Sequence, residues 1–177
     1  MLTSECMLTD RCRRLGGRTL NDLSPPPLDR IDCHLTMAWQ EVGSVSISDD
    51  ERLTFPDIGK TPGLYRITIR RATSREVYIG EATNLRRRFH NYRSPGPTQE
   101  TSKRINGLLM KVLAEGAEVG VAVALEAVID SGHGPEPADL TSKVTRCLAE
   151  NAAILAAART ADRIHNLAQK VADGAMP

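Results

Sequence analysis

Two short segments of alternating side chains, joined by a brief polar connection, constrain the fold of this chain more than any other feature. The first, residues 63–70 (GLYRITIR), places successive side chains on opposite faces of a half-buried strand. The second, residues 77–79 (VYI), stops at Gly80. Because the intervening residues 71–75 are polar and few, we expect the two strands to pair as an antiparallel hairpin.

Helical signals follow this hairpin. Thr83 or Asn84 is suited to cap a helix that ends near Tyr92, before the breaker sequence SPGP. Residues 99–114 carry apolar side chains at helical spacing and predict a second helix. Residues 119–128 are rich in β-branched side chains and predict a third, largely buried strand.

The remaining segments complete the predicted order of elements. Residues 43–55 predict a pair of short strands around a turn at residues 48–50. Residues 161–171 predict a short helix or turn. A long helix is predicted from Asp139 or Thr141, with a stripe formed by Val144, Cys147, Leu148, Asn151, Ile154, Leu155 and Ala158.

The length of the chain bounds its domain organisation. With 177 residues, 41% of them hydrophobic, the chain is long enough for one domain with a proper core and too short for two ordinary domains. Residues 1–40 contain GG and PPP and no apolar periodicity, so we expect a mobile extension there. Residues 41–177 then form a single domain of the α/β (α+β) class. Its predicted architecture is a small, mainly antiparallel three-stranded central sheet flanked by helices, with an N-terminal strand extension.

Charge is distributed unevenly, although the formal net charge is only +1. Residues 60–104 contain 11 Lys and Arg against three Glu, a local charge of +8, and the rest of the chain carries −7. A basic centre of this kind favours contact with a polyanion at one site. The alternative is a set of solvated faces whose long side chains cover apolar surface.

Several classes of protein are excluded by composition. No stretch approaches the roughly 20 apolar residues of a membrane span, and the N-terminus lacks the apolar segment of a secretory signal. We therefore expect a cytoplasmic protein with no membrane partner. The cysteines form no CxxC pair, so we expect free thiols rather than a zinc site or disulfides at Cys6, Cys12, Cys33 and Cys147.

A pair of tripeptides and the residues after them carry the most specific signal in the sequence. Gly63-Leu64-Tyr65 lies on the first strand and Tyr78-Ile79-Gly80 on the second, and the sequence NLRRR follows at once. A glutamate, Glu150, lies on a later helix. In this order and spacing, over residues 62–166, the chain resembles the GIY-YIG nuclease superfamily.

The resemblance implies a role for each matched position. Tyr65 corresponds to the tyrosine that orients or deprotonates the attacking water, and Tyr78 corresponds to its partner in the same pocket. Arg88 corresponds to the arginine that grips the scissile phosphate, and Glu150 to the single acidic residue that binds the divalent cation. The matched supporting positions are Gly63, Gly80, Tyr92 and Asn166.

These residue types suit phosphodiester hydrolysis for physical reasons. A phosphodiester is an anion, so Mg²⁺ or Mn²⁺ held by Glu150 can neutralise charge as a nucleophile approaches. Arg88 offers a planar fork of donors that matches two phosphate oxygens. No small-molecule cofactor is expected. Contacts with the nucleic-acid backbone are predicted for Arg66, Arg86, Arg87, Arg93, Lys103 and Arg104.

One position departs from the family pattern. Members often carry a lysine directly after the YIG tripeptide, where this chain has Glu81. A free tyrosine has a pKa of about 10, so Tyr65 either needs nearby cations that lower its pKa or only orients the water while a metal-linked hydroxide takes the proton. The basic surroundings favour the first, with Arg66, Arg86 or His90 as candidates to compensate for the missing lysine.

Each site residue also has an ordinary structural interpretation. Tyr65 and Tyr78 could be strand aromatics whose hydroxyls reach solvent, and residues 86–88 could be a solvated helix face. Glu150 lies at the margin of the predicted apolar stripe and could pair with Arg146 or Lys143. The combined motif favours the active-site interpretation.

The sequence therefore predicts a metal-dependent endonuclease that hydrolyses DNA phosphodiester bonds, of restriction type. A homodimer would supply the two sites needed to cut both strands. The alternatives are a DNA-repair or structure-specific nuclease and a non-catalytic nucleic-acid-binding protein that keeps the nuclease fold. When bound to DNA, the protein is expected at the nucleoid, and the sequence leaves RNA open as a substrate.

Overall fold

Three antiparallel strands organise the computed structural model, which describes residues 32–166. Within these residues the strands are β1 (His34–Met37), β2 (Gln40–Ser44), β3 (Ser46–Ile47), β4 (Leu53–Thr54), β5 (Gly63–Arg70), β6 (Arg75–Ala82), β7 (Glu118–Ala124), β8 (Ala127–Asp130), β9 (Glu136–Pro137) and β10 (Arg163–Ile164). The helices are α1 (Leu85–Arg93), α2 (Glu100–Ala114) and α3 (Lys143–Ala157). The mixed α+β class predicted from the sequence is confirmed.

The main sheet has the strand order β10-β6-β5-β7-β2. β5 pairs antiparallel with β6, as predicted, and on its other side with β7, while β2 and the parallel β10 extend the sheet at its edges. Across the hairpin Tyr65 lies opposite Gly80, and Ile67 lies opposite Tyr78. Because cross-strand partners share a face, Tyr65 and Tyr78 project from the same side of the sheet.

Each face of the sheet carries its own apolar cluster. The face of Tyr65 packs against α1, α2 and the β3–β4 hairpin through a cluster that includes Ile67, Phe89, Tyr92, Ile105 and Leu109. The opposite face packs against α3 through Leu64, Ile79, Ala124, Ala149 and Ala153. Burial of each large apolar side chain stabilises the fold by about 1.5–3 kcal/mol. The helix that carries Arg88 and the helix that carries Glu150 therefore lie on opposite faces.

Two predicted elements differ from the structure. Residues 119–128 form β7 and then β8, because the chain leaves the main sheet at Leu125 and β8 pairs instead with β1 and β9. The helix or turn expected over residues 161–171 is, as far as residue 166, the strand β10 followed by a turn. Backbone amides of Asp162 and His165 bond to carbonyls of β6, each at 2.9 Å, and these bonds hold the segment extended.

The apolar stripe predicted for the long helix is wrong. Val144 and Leu155 are 80% and 71% exposed, whereas the buried side chains of α3 are Arg146, Ala149 and Ala153. The small alanines let α3 approach the sheet closely, and the bulk of that cluster comes from the strands. Three larger apolar residues of α3, Val144, Leu148 and Leu155, therefore lie on its outer side, while Ile154 packs partly buried against the cluster.

The segment predicted as a mobile extension, residues 1–40, contributes an ordered strand where it is described. β1 pairs with β8, and Leu35 and Met37 pack against the α3-side cluster. The described fold thus begins before residue 41, while residues 1–31 and 167–177 lie outside the described part of the chain.

No helix within residues 32–166 is long and apolar enough to cross a membrane. Among the predicted thiols Cys33 and Cys147 are free, as expected, whereas Cys6 and Cys12 fall outside that range.

Candidate active site

All three tyrosines of the chain meet on the α1 side of the hairpin. Tyr65 and Tyr78 come from the strands and Tyr92 from α1, with ring centroids 6.1 to 6.3 Å apart. Phe89 packs edge-on against Tyr65 at 5.3 Å. Tyr65 and Tyr92 are 0% exposed and Tyr78 is 6% exposed. The tyrosine trio is thus part of the core, and its hydroxyls must find partners within the protein.

A directional chain of hydrogen bonds satisfies these hydroxyls. Arg88 Nε donates to the Tyr65 hydroxyl oxygen at 3.0 Å, and the hydroxyl oxygens of Tyr65 and Tyr92 lie 2.6 Å apart. The Tyr92 hydroxyl donates in turn to that of Tyr78 at 3.3 Å. Because each hydroxyl carries one proton, Tyr65 donates to Tyr92 in this arrangement. The chain runs from the Arg88 guanidinium to Tyr78, the most exposed of the three tyrosines.

The two motif glycines make room for this packing. A Cβ at Gly80 would overlap the Tyr65 hydroxyl and ring, and a Cβ at Gly63 would lie 2.8 Å from the carbonyl oxygen of Ala124. Any side chain at either position must displace the tyrosine or the neighbouring strand. The glycines therefore act sterically, by allowing the close approach of Tyr65 to β6 and of β5 to β7.

Helix α1 fixes the Arg88 guanidinium. Asn84 caps the helix by accepting from the backbone N–H of Arg87 at 2.9 Å, as the sequence predicts. The guanidinium carbon of Arg88 lies 4.9 Å from the centroid of the Tyr92 ring, in cation–π contact. Its Nε is engaged with Tyr65, while its terminal nitrogens have no hydrogen-bond partner among residues 32–166. The donor fork is held in place with its outer end available.

Burial raises the pKa of the Tyr65 hydroxyl, with a further contribution from Tyr78, and outweighs the opposing effect of Arg88. Burial raises the pKa of Tyr92 in the same way. The expectation that cations lower the pKa of Tyr65 is therefore wrong for this arrangement, because the cost of a buried phenolate exceeds the attraction of one guanidinium. Tyr65 stays protonated at neutral pH.

Glu150 lies half-buried on α3, and burial, followed by the charge of Glu81, raises the pKa of its carboxyl. Arg88 acts in the opposite direction, so the two side chains are close enough to interact although their helices pack on opposite faces of the sheet. No ion pair joins Glu150 to Arg146 or Lys143 within residues 32–166, so the ordinary pairing considered for it is not formed.

The donor chemistry at Glu150 suits a hard divalent cation. In the described part of the chain no three His, Cys, Asp or Glu side chains converge on one point. A single carboxylate oxygen donor fits Mg²⁺ or Mn²⁺, since Mg²⁺ keeps several water ligands and needs few from the protein. A thiolate- or imidazole-rich site for zinc is not formed by these residues.

Glu81, the residue directly after the YIG tripeptide, forms an ion pair that the sequence did not indicate. Its Oε2 accepts from Arg146 Nε at 2.6 Å, and the Arg146 side chain is 3% exposed. The two residues are 65 positions apart. Periodicity places Arg146 on a helix but does not show that it faces the sheet, so this pair was not found from the sequence.

Asn166 bonds to the backbone of β6, at the edge of the hairpin that faces away from β5. Its side-chain Oδ1 accepts from the backbone N–H of Ile79 at 2.7 Å, and its Nδ2 donates to the carbonyl of the same residue. The amide thereby completes the edge of β6 beyond β10. The predicted supporting position is in direct contact with the YIG tripeptide.

The residues predicted to contact nucleic acid do not form one surface. Arg87 and Arg93 are exposed on α1, and Arg86 bonds to Asp57 at 2.8 Å. Arg104 lies beside the tyrosine trio, 6.0 Å from the centroid of Tyr78, with its Nη1 bonded to the carbonyl of His165 at 3.2 Å.

The two remaining predicted cations differ in accessibility. Lys103 is exposed on α2 and pairs with Glu100 at 3.0 Å. Arg66 lies on the other face of the sheet, bonded to Glu41 at 3.1 Å and stacked 5.0 Å from the centroid of Trp39. Of the three candidates to compensate for the missing lysine, Arg66 does not lie beside Tyr65, because strand alternation places it on the opposite face of the sheet.

No protein-family model matches the chain, and no curated protein matches it. Among solved structures the chain is similar to a mutant of EndoII from bacteriophage T4, with 21% sequence identity over 67% of this chain and 86% of that one, and a TM-score of 0.47. At this level of similarity, the function of the chain has to come from its own site residues.

Proposed function

We propose that this protein is a metal-dependent endonuclease that hydrolyses DNA phosphodiester bonds at the site formed by Arg88, Glu150 and the tyrosine trio. The observation that carries the proposal is the state of Arg88. Its Nε is bonded to Tyr65 and its face stacks on Tyr92, while its terminal nitrogens have no partner in residues 32–166. A fixed guanidinium with a free outer edge is suited to bind two oxygens of one phosphate.

Glu150 supplies the second half of the site. Its carboxylate would hold Mg²⁺ or Mn²⁺, which when bound provides a Lewis acid and a more acidic water. Its carboxyl is close enough to Arg88 and Glu81 for the charges of both to shift its pKa. Together Arg88 and Glu150 provide positive charge and a cation anchor where negative charge develops during attack on phosphorus.

The tyrosines orient groups rather than remove a proton from water in this arrangement. Tyr65 is fully buried and bonded on both sides, so it fixes Arg88 and Tyr92. Tyr78 ends the hydrogen-bond chain and is the tyrosine closest to solvent, so it is the hydroxyl best placed to contact a water or a phosphate oxygen.

The substrate that we propose is duplex DNA, cut in the manner of a restriction enzyme. The basic segment, residues 60–104, carries a local charge of +8, and Arg87 and Arg93 are exposed on the helix that holds Arg88. Their charge favours contact with the phosphates that flank the scissile bond. Cleavage of both strands would use two copies of the chain.

The experiment that tests the proposal is conversion of supercoiled plasmid by purified protein with Mg²⁺, Mn²⁺ or EDTA, beside Glu150→Gln prepared identically. Nicked or linear products from the wild type with metal, and none from Glu150→Gln or with EDTA, would support it. DNA binding measured in EDTA should be the same for both proteins. Equal cleavage by both proteins would contradict the role of Glu150.

One observation favours a second function, that of a nucleic-acid-binding protein without turnover. Tyr65 is fully buried and its pKa is raised by that burial, so cleavage would have to take its proton acceptor from the metal-bound water, whereas binding needs no base. Binding without product, across both metals and with branched as well as duplex DNA, would favour this function over cleavage.

A further inference from the structure

Arg146 is the most completely bonded cation in the described part of α3. It is almost fully buried, and its donors reach β6, the loop after β6 and the loop before α3. Nε bonds to Glu81 at 2.6 Å, Nη1 bonds to the carbonyls of Leu140 and Thr141 at 2.8 Å each, and Nη2 bonds to the Thr83 hydroxyl at 3.0 Å. A guanidinium has five N–H groups, so nearly all of its hydrogen-bonding capacity is used.

The apolar packing of α3 does not by itself fix the position of this helix along the sheet. The buried contact of α3 with the sheet is made by Ala149 and Ala153, which lie against Leu64 and Ile79, and only the partly buried Ile154 adds a larger side chain. Alanine side chains offer little shape to interlock, so an alanine face alone does not define where a helix sits along a sheet. A buried polar contact with fixed geometry does define it, because any shift leaves a charge without its partner.

Arg146 also connects the two halves of the proposed site. Glu81 directly follows Gly80, the residue that makes room for Tyr65. Arg146 precedes Glu150 by one helical turn, and side chains four residues apart lie on the same side of a helix. The Glu81–Arg146 pair therefore ties the end of β6 to the turn of α3 that carries Glu150.

We propose that Arg146 is a positioning residue that sets the place of α3 on β6 and so holds the Glu150 carboxylate beside Arg88. Glu81 is its counter-ion, which accounts for an acidic residue directly after the YIG tripeptide. This inference rests on the proposed nuclease function for its catalytic consequence. Its structural part, the clamping of α3 by Arg146, stands apart from catalysis and is measured separately below.

The test uses the full chain with the double variant Glu81→Gln/Arg146→Met, which removes both buried charges together and so avoids leaving one unpaired. Glu76→Gln is the matched control. Glu76 is also a largely buried carboxylate of β6, with 13% exposure, and it also has side-chain partners, the Arg71 guanidinium and the His165 imidazole. Four quantities are measured for each protein: thermal stability, hydrogen exchange of the α2 and α3 amides, the single-turnover cleavage rate and the DNA affinity.

For the double variant we expect a cleavage rate at saturating DNA lowered by about a hundredfold, with DNA affinity within about twofold of the wild type because the contacts of the basic segment remain. Amides of residues 149–157 should exchange faster, and those of α2 should not. Glu76→Gln should keep the wild-type cleavage rate even if its thermal stability falls as far.

Three results would overturn the inference. These are a double variant that cleaves at the wild-type rate, a Glu76→Gln control that loses as much rate for the same loss of stability, or unchanged exchange of α3 in the double variant. If the wild type itself cleaves no DNA, the proposed function fails. Hydrogen exchange of the α3 amides in the double variant then tests whether Arg146 holds α3 on β6. Faster exchange supports this role, and unchanged exchange refutes it.

Discussion

The Nε–H of Arg88 donates to the buried hydroxyl of Tyr65 across 3.0 Å, which joins a residue of helix α1 to a residue of strand β5. Tyr92, one turn further along α1, stacks against the Arg88 guanidinium and bonds to the Tyr65 hydroxyl. This relationship turns an arginine that would otherwise be one of three consecutive helix cations into a fixed group.

Removal of the Tyr65 hydroxyl should impair the site more than the fold. Tyr65→Phe keeps the ring packing but leaves Arg88 Nε and the Tyr92 hydroxyl without their shared partner. We expect a loss of about 1–3 kcal/mol in the free energy of unfolding and a cleavage rate at least about tenfold lower. Urea unfolding and single-turnover kinetics measure the two effects. A Tyr65→Phe protein with wild-type kinetics would show that the Arg88–Tyr65 bond is not needed.

A methyl group at Gly80 should be poorly tolerated. In Gly80→Ala the new Cβ overlaps the Tyr65 ring, so the tyrosine or the strand must move, at a cost of about 1–3 kcal/mol. Gly107→Ala is the control, since a Cβ there meets nothing within 4 Å and replaces a helical glycine. That control should gain up to about 1 kcal/mol. Equal stability of the two variants would contradict the packing described for Tyr65.

Asn166 should matter through the backbone of Ile79. Asn166→Ala removes both hydrogen bonds from that backbone and should cost about 1–3 kcal/mol, with faster hydrogen exchange at Ile79. The matched change Asn151→Ala removes an exposed side-chain contact and should alter stability by less than about 0.5 kcal/mol. Similar effects from both would refute a specific bracing role.

Stability should depend on pH through Glu150. Its pKa in the folded protein is raised, by burial and then by Glu81, above the ordinary value of 4.5. The folded state therefore prefers the protonated form, and stability present below pH 4.5 is lost as the pH rises through the folded pKa. Glu150→Gln should accordingly be more stable than the wild type at pH 7, and this advantage should vanish near pH 4. Thermal unfolding at both pH values checks this, with the exposed Glu118→Gln as the control. No advantage at pH 7 would contradict the burial of the carboxylate.

DNA affinity should depend on the exposed cations of α1. Arg87→Ala or Arg93→Ala should weaken binding at low salt and reduce the slope of log K against log salt by about 1 each. Arg66→Ala should leave the slope unchanged, because Arg66 lies on the opposite face of the sheet and is bonded to Glu41. Fluorescence anisotropy over a salt series distinguishes them. An equal change of slope for Arg66→Ala would place the DNA elsewhere.

The hairpin and the residues around it could be predicted because their signals are local. Alternation, a glycine stop and an N-cap lie within a few residues of one another, so the strands that hold Tyr65 and Tyr78 and the helix that holds Arg88 follow directly. The stripe predicted for α3 failed because Val144, Leu148 and Leu155 are exposed and the buried apolar residues of this helix are alanines.

The sequence could not reveal contacts that depend on distant elements. The Glu81–Arg146 pair joins residues 65 positions apart, and the stacking of Arg66 on Trp39 needs the register of three strands. The raised pKa of Tyr65 was likewise missed, because local charge suggested the opposite direction and only the packed structure shows how deeply the ring is buried.

The measurement that tests the central claim most directly is single-turnover cleavage of labelled duplex DNA by Arg88→Lys, with Arg87→Lys as the matched control. Both variants keep the charge, but only at position 88 is a fixed donor fork removed. We predict a rate about a hundredfold lower for Arg88→Lys and a rate within about twofold of the wild type for Arg87→Lys. Equal rates for the two variants, or no metal-dependent cleavage by the wild type, would contradict the account.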